Sequence, residues 1–167
     1  MRRSGRSETD ASPIVINGAI GPQDDGYNPG EIMSAEEARE YHSIQVETFA
    51  ATQADMVSAI TMTYTDEAIG ITRAAQAADL PVVISFTVET DGRLPTGQTL
   101  ASAIEMVDLA TGHAPAYYMI NCAHPTHFVR YFEHLPRFCS ETRTLHGYTH
   151  SSPPSAYAPA PWHIAKE

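Results

Sequence analysis

Four short apolar runs, each followed by a stretch of helical or turn-rich sequence, set the architecture of this chain. They begin near residues 14, 56, 82 and 117 and read IVING, MVSAI, VVISFTV and YYMIN. Near-continuous apolar strands suit a parallel sheet covered on both faces, whereas strands with one wet face alternate. Helical spacing between them gives the order β, α, β, α, β, α, β, which is the pattern of an α/β fold. Such units build either an open doubly wound sheet or a (β/α)8 barrel. A full barrel needs about 250 residues. Four strands in a little over one hundred residues are half of one, so a barrel reading implies a chain that does not hold all of it.

Local signals support the alternation. Ser34 with Glu37 is a capping box, and Glu36 adds favourable charge to the first turn. The helix it starts is expected to bury Ala38, Tyr41, Val46 and Phe49. Thr65 is expected to cap the next helix, with Asp66 and Glu67 in its first turn. Ala68, Ile71, Ala75 and Ala78 make its apolar stripe. Leu100, Ile104 and Val107 make the third stripe, and Gly112 is a C-terminal stop.

The chain has 167 residues, with 10 Lys plus Arg against 20 Asp plus Glu, for a net charge of −10. That balance argues against nucleic acid, which calls for a basic patch. No apolar run approaches the roughly 20 residues that span a bilayer, so no membrane partner is expected. The opening MRRSGRSETDAS has no apolar core after its arginines and is not read as a signal peptide. Two cysteines make no disulfide framework, and a reducing cytoplasm is the expected location. The charge is uneven. Residues 8–128 hold 17 acids and three Arg, whereas residues 129–167 are nearly balanced and carry five of the 12 Pro and four of the eight His. Three segments follow: residues 1–12 as a disordered N-terminus, 13–128 as the folded domain, and 129–167 as an irregular Pro/His-rich tail.

Cys122 follows the fourth run directly, in NCAHP. Ligand and catalytic groups gather at the carboxyl ends of strands in such folds. A cysteine there is either a metal thiolate or nucleophile, or a small apolar residue closing a strand. His124 and His127 lie close by, but Cys-x-His-x-x-His matches no zinc module, and loop histidines are the simpler reading. His146 and His150 have helical spacing but lie beside the Pro-rich stretch; with Cys139 they read as tail residues. Asn17-Gly18-Ala19-Ile20-Gly21 is GxxG followed by Pro, so Gly18 and Gly21 suit a strand-to-loop turn better than a dinucleotide site. Glu89 and Asp91 read as a solvated loop beside Arg93.

Taken together, INGAIGP (16–22), DMVSAITMTYTDEAIG (55–70), PVVISFTVETDGRLPTGQTL (81–100) and YYMINCAHP (117–125) resemble the homocysteine S-methyltransferase family, over about residues 13–128. The resemblance implies a partial (β/α)8 TIM barrel covering about strands three to six. It implies transfer of a methyl group from a small sulfonium or ammonium donor to a zinc-bound homocysteine thiolate. Zinc would deprotonate the thiol and hold its sulfur for in-line attack. By motif, Cys122 matches the cysteine that follows Asn and binds Zn2+, and Asn121 is the accompanying candidate for substrate binding.

The family's other two zinc ligands are adjacent cysteines in a Gly-Gly-Cys-Cys motif, which this sequence lacks, as it lacks the first-strand Asp-Gly-Gly segment. Ile60 stands where many members have a substrate-holding Glu. The resemblance therefore implies a methyltransferase-like chain with an incomplete zinc site, incomplete or inactive by itself. The alternative is a non-catalytic half-barrel, a remnant or an assembly partner, whose open edges favour self-association.

Overall fold

Five parallel strands lie side by side in the order in which the chain makes them. The structure, a computed structural model, describes residues 14–128 and the backbone of residues 145–147. The elements are β1 (Asn17–Ile20), α1 (Ala35–Ala50), β2 (Met56–Met62), α2 (Thr65–Ala77), β3 (Val82–Phe86), α3 (Leu100–Thr111), β4 (Tyr118–Ile120) and β5 (Leu145–Gly147). Every neighbouring pair is parallel, and the sheet order is β1-β2-β3-β4-β5. A doubly wound sheet reverses direction at a switch point; this sheet does not, and its winding is that of a barrel. α1 packs on α2, and α2 on α3, as one helical layer. The fold is a partial (β/α)8 barrel. No helix among the described residues is long and apolar enough to cross a membrane.

β5 lies in the segment expected to be irregular. Its three residues pair with the edge of β4, which would otherwise present a row of unpaired N–H and C=O groups. The rest of that segment, including Cys139 and His150, falls outside the described residues, as do residues 1–12 and the side chain of His146.

Register divides the sheet into two unlike faces. Gly18, Ile20, Val57, Ala59, Val82, Ile84, Phe86, Tyr118 and Ile120 share the face toward the helices. Apart from glycine they belong to one buried cluster with Ala68, Ile71, Ala75, Leu100, Ile104 and Val107. Those helical residues are the stripes that the spacing predicts. The opposite face carries Asn17, Ser58, Val83, Ser85 and Met119. It is the more polar one, with Ser58 Oγ donating to Asn17 Oδ1 at 2.9 Å. In a closed barrel this face is the interior.

The structure moves several expected details. The run Ile14-Val15-Ile16 precedes the sheet and is exposed, because pairing starts where Asn17 meets Met56 at the head of β2. The capping box forms as expected, with Ser34 Oγ accepting from Glu37 N and Glu37 Oε2 from Ser34 N. α1, however, turns Tyr41 outward and His42 inward. The cause is Glu67, which is buried rather than solvated: its Oε1 lies 3.0 Å from His42 Nε2 and accepts from Gln23 N at 2.7 Å. One carboxylate thus ties α1, α2 and the loop after β1 together. Thr65 does not cap α2. Tyr64 holds the N-cap position without a side-chain hydrogen bond, and Thr65 Oγ1 donates to Gln98 instead. Gly18 lies within β1, where the Phe49 ring of α1 leaves a Cβ only 2.7 Å of clearance.

Gly70 is where α1 and α2 meet most closely. A Cβ there would lie 2.5 Å from Ala38 Cβ and 2.6 Å from Arg39 N, and backbone cannot swing aside. Gly70→Ala is expected to lower the unfolding free energy by roughly 1–3 kcal/mol in urea titration despite the better helix propensity of Ala. Tyr64 supplies a pH test. Burial, then the charge of Glu67, pushes its phenol up to about 12. The unfolded phenol ionises near pH 10, so the stability it supports is complete below about pH 10 and is lost as the pH rises toward the folded value. Tyr64→Phe should remove that part of the alkaline loss of stability; an unchanged alkaline limb would contradict this.

Candidate functional site

At the carboxyl end of the sheet, one side chain joins three strands. Asn121 follows β4 on the interior face. Its Oδ1 accepts from Thr61 N at 2.9 Å and from Ser85 Oγ at 2.6 Å. Its Nδ2 donates to Thr61 Oγ1 at 2.7 Å and to Cys122 Sγ at 3.2 Å. An amide offers two acceptor sites and two donors, and all four are in use. Because the Thr61 amide must donate, the oxygen must face it, so the nitrogen is fixed on the side of the sulfur.

Thr61 is reached through a bulge. Ala59 pairs with Ile84 and Met62 with Phe86, so Ile60 and Thr61 together oppose Ser85. One extra residue at the end of β2 bends the strand and re-aims its side chains, a device common beside active sites. Thr61 has φ 59° and Cys122 has φ 54°. The left-handed region costs a side-chain-bearing residue about 1–2 kcal/mol, and a β-branched residue is an outlier there. The other two such residues among those described, Asp79 and His113, close helices α2 and α3. Thr61 and Cys122 instead face each other across the site, with Thr61 Oγ1 3.6 Å from Cys122 Sγ.

A third group arrives from the loop after β1. Asp25 Oδ1 accepts from Tyr27 N at 2.8 Å and Asn28 N at 3.1 Å, which shapes the turn. Gly26 then lies against the Thr61 side chain, and Tyr27 reaches Cys122. The Tyr27 phenol is held above its ordinary value, first by its hydrogen bond to the Cys122 side chain and then by the electrostatic influence of that side chain. Burial, Asp25 and Glu89 add to the effect. Thr61 Oγ1 already accepts from Asn121 Nδ2, so its own proton is free to point at the sulfur. The Asn121 amide and the Thr61 hydroxyl thus converge on one sulfur, with the Tyr27 phenol beside it. Cys122 itself is half-buried and unbridged.

Of the residues singled out from sequence, Asn121 and Cys122 come together here. His124 does not join them: it caps a single 3-10 turn, Pro125–His127, with its Nδ1 2.8 Å from Thr126 Oγ1. The His127 ring lies 6.0 Å from that of His124. Glu89 and Asp91 are exposed loop residues, and Arg93 N donates to Asp91 Oδ1 at 3.0 Å. Ile60 is half-buried beside the bulge. Thr61, Ser85 and Tyr27 escaped the sequence reading. A threonine in an apolar strand gives no sign of a left-handed bulge, and Tyr27 had only the Asp-Gly turn signal before it.

The chemistry of a zinc centre calls for three protein ligands plus an open position, or four. Among the described residues no group of three or more His, Cys, Asp or Glu is placed to hold a metal ion. One sulfur, however well directed, is one ligand, so the described residues do not fit a zinc centre by themselves.

Comparison with known proteins bears on the fold and the family. The crystal structure of the homocysteine methyltransferase MmuM from Escherichia coli in its apo form matches at 20% identity with a TM-score of 0.65. That match covers 83% of this chain and 50% of that one. The metallated form of the same enzyme matches at 19% identity with a TM-score of 0.70, covering 86% of this chain and 51% of that one. At that identity the likeness is one of fold, and this chain spans about half the length of the structures it matches. No curated protein matches the chain. The family model for homocysteine S-methyltransferase matches residues 1–166, reaching past both ends of the 13–128 resemblance. With that match running over nearly the whole sequence, the chain belongs to the homocysteine S-methyltransferase family.

Proposed function

We propose that this chain carries one part of a thiol methyltransferase site and does not complete it alone. The observation that carries the reading is the placement of Cys122. It stands at the carboxyl end of β4, its sulfur meets the Asn121 amide and the Thr61 hydroxyl with the Tyr27 phenol beside it, and among the described residues no group of three or more metal-ligating side chains forms around it. On this reading Cys122 contributes one thiolate to a Zn2+ site whose other ligands come from residues this sequence does not hold. The Gly-Gly-Cys-Cys pair is absent from all 167 residues.

The reaction proposed for the completed site follows from the family. The homocysteine sulfur releases its proton to solvent and forms a bond to a methyl carbon. The bond from that carbon to the donor's sulfonium sulfur or ammonium nitrogen breaks, and the electron pair leaves on the donor. The donor departs as a neutral sulfide or amine. Only the thiolate is a competent nucleophile. A cytoplasmic location accords with two cysteines and no disulfide framework.

The second reading, a half-barrel that assembles without catalysing, draws on the edge at β1. Ile14, Val15 and Ile16 stand exposed beside that strand at 66%, 61% and 43%. A parallel edge flanked by apolar side chains invites another strand, from a second copy or from a complementary half.

Mixing separates the two. The 167-residue chain should not methylate homocysteine alone. Together with a polypeptide bearing the Gly-Gly-Cys-Cys half of a family barrel it should form a stable complex on size exclusion. That complex should turn over with a sulfonium or ammonium donor and lose activity with Cys122→Ala. A stable complex without turnover supports the assembly reading, and turnover by the chain alone contradicts both.

A further inference from the structure

We infer that Asn121 is a positioning residue rather than a substrate contact: its amide is the clamp that holds the Thr61 bulge and Cys122 in their left-handed conformations. Its use to methyl transfer rests on the function proposed above, whereas its geometry does not.

Three observations carry this. First, the amide has no capacity left for a ligand. Thr61 N, Ser85 Oγ, Thr61 Oγ1 and Cys122 Sγ occupy its two acceptor sites and two donors. A substrate reaching Asn121 would have to displace protein partners that are half-buried or, for Ser85, fully buried. Second, the two strained residues are the clamp's own partners. Of four side-chain-bearing residues with positive φ among the described residues, two end helices, and the other two are Thr61 and Cys122. Strain persists only where the surroundings over-determine it. A pair of bonds to the backbone and side chain of Thr61, with a bond to Cys122 from the same amide, is such a determination. Third, the clamp crosses the sheet. It ties the end of β2 to the end of β4 with β3 between them, through Ser85. The direction of Sγ is therefore set by strand register and not by a loop.

The two halves of the amide do different work, and that makes the inference testable. The oxygen holds the bulge; the nitrogen holds the sulfur. Asn121→Asp keeps an acceptor for Thr61 N and Ser85 Oγ, and its second oxygen can accept from the Thr61 hydroxyl, but nothing is left to donate to Cys122. Asn121→Ala removes both halves. Thr61→Ser keeps the hydroxyl and is the conservative rescue.

The measurement is NMR on the isotopically labelled 167-residue chain, where a strong intraresidue HN–Hα NOE marks positive φ. The parent and Thr61→Ser should show it at both Thr61, or its serine, and Cys122. Asn121→Asp should keep it at Thr61 and lose it at Cys122. Asn121→Ala should lose it at both, and if that variant does not fold, Asn121→Asp carries the test. Retention at Cys122 in Asn121→Asp would overturn the inference, as would equal loss at both residues in that variant. Neither metal nor substrate enters the experiment, so its outcome and that of the mixing experiment are independent.

Discussion

Everything at the mouth of this half-barrel depends on one amide being fully spent. Asn121 gives its two acceptor sites to β2 and β3 and its two donors to Thr61 and Cys122. A buried polar side chain that is only partly satisfied costs more than it returns, whereas a fully satisfied one specifies a single arrangement. Here the arrangement includes an extra residue in β2 and two backbones in the left-handed region. Remove the amide and there is no reason for Thr61 or Cys122 to stay where they are.

A second constraint works from the helical side. Glu67 is buried against His42 and the Gln23 N–H, so the loop that delivers Tyr27 to the sulfur is anchored to the packing of α1 on α2. The close approach at Gly70 belongs to the same packing. The site is thus fixed from two directions, by strand register beneath and by helix packing beside. The polar interior face of the sheet, with Ser58 and Asn17 bonded to each other, reads as the lining of a barrel whose other wall is not present among these residues.

Much of this was legible from residues alone. The alternation of apolar runs and helical stripes gave the parallel sheet, and Ser34 with Glu37 gave the start of α1. The position of Cys122 at the carboxyl end of β4 follows from the sequence, because a residue directly after a strand of an α/β unit emerges at that end. Legibility stopped where tertiary partners override local preference. Nothing near His42 says that it meets Glu67 across two helices, so Tyr41 was expected on the inner face in its place. Pattern cannot foresee threonine in a left-handed bulge, since the conformation exists only because Asn121, 60 positions away, pays for it. β5 was missed for a related reason: a strand of three residues at a sheet edge is made by its neighbour's free backbone groups and not by its own composition.

The central claim is that the described residues bring one cysteine sulfur, Cys122, to the proposed metal position and gather no group of three ligands there. Zinc content of the purified chain, measured by native mass spectrometry beside Cys122→Ala after equilibration with the metal, addresses it most directly. The account predicts well under one zinc per chain, with no tight component that depends on Cys122. One tightly held zinc per chain, lost in Cys122→Ala, would mean that this chain builds a complete site by itself and would contradict the account.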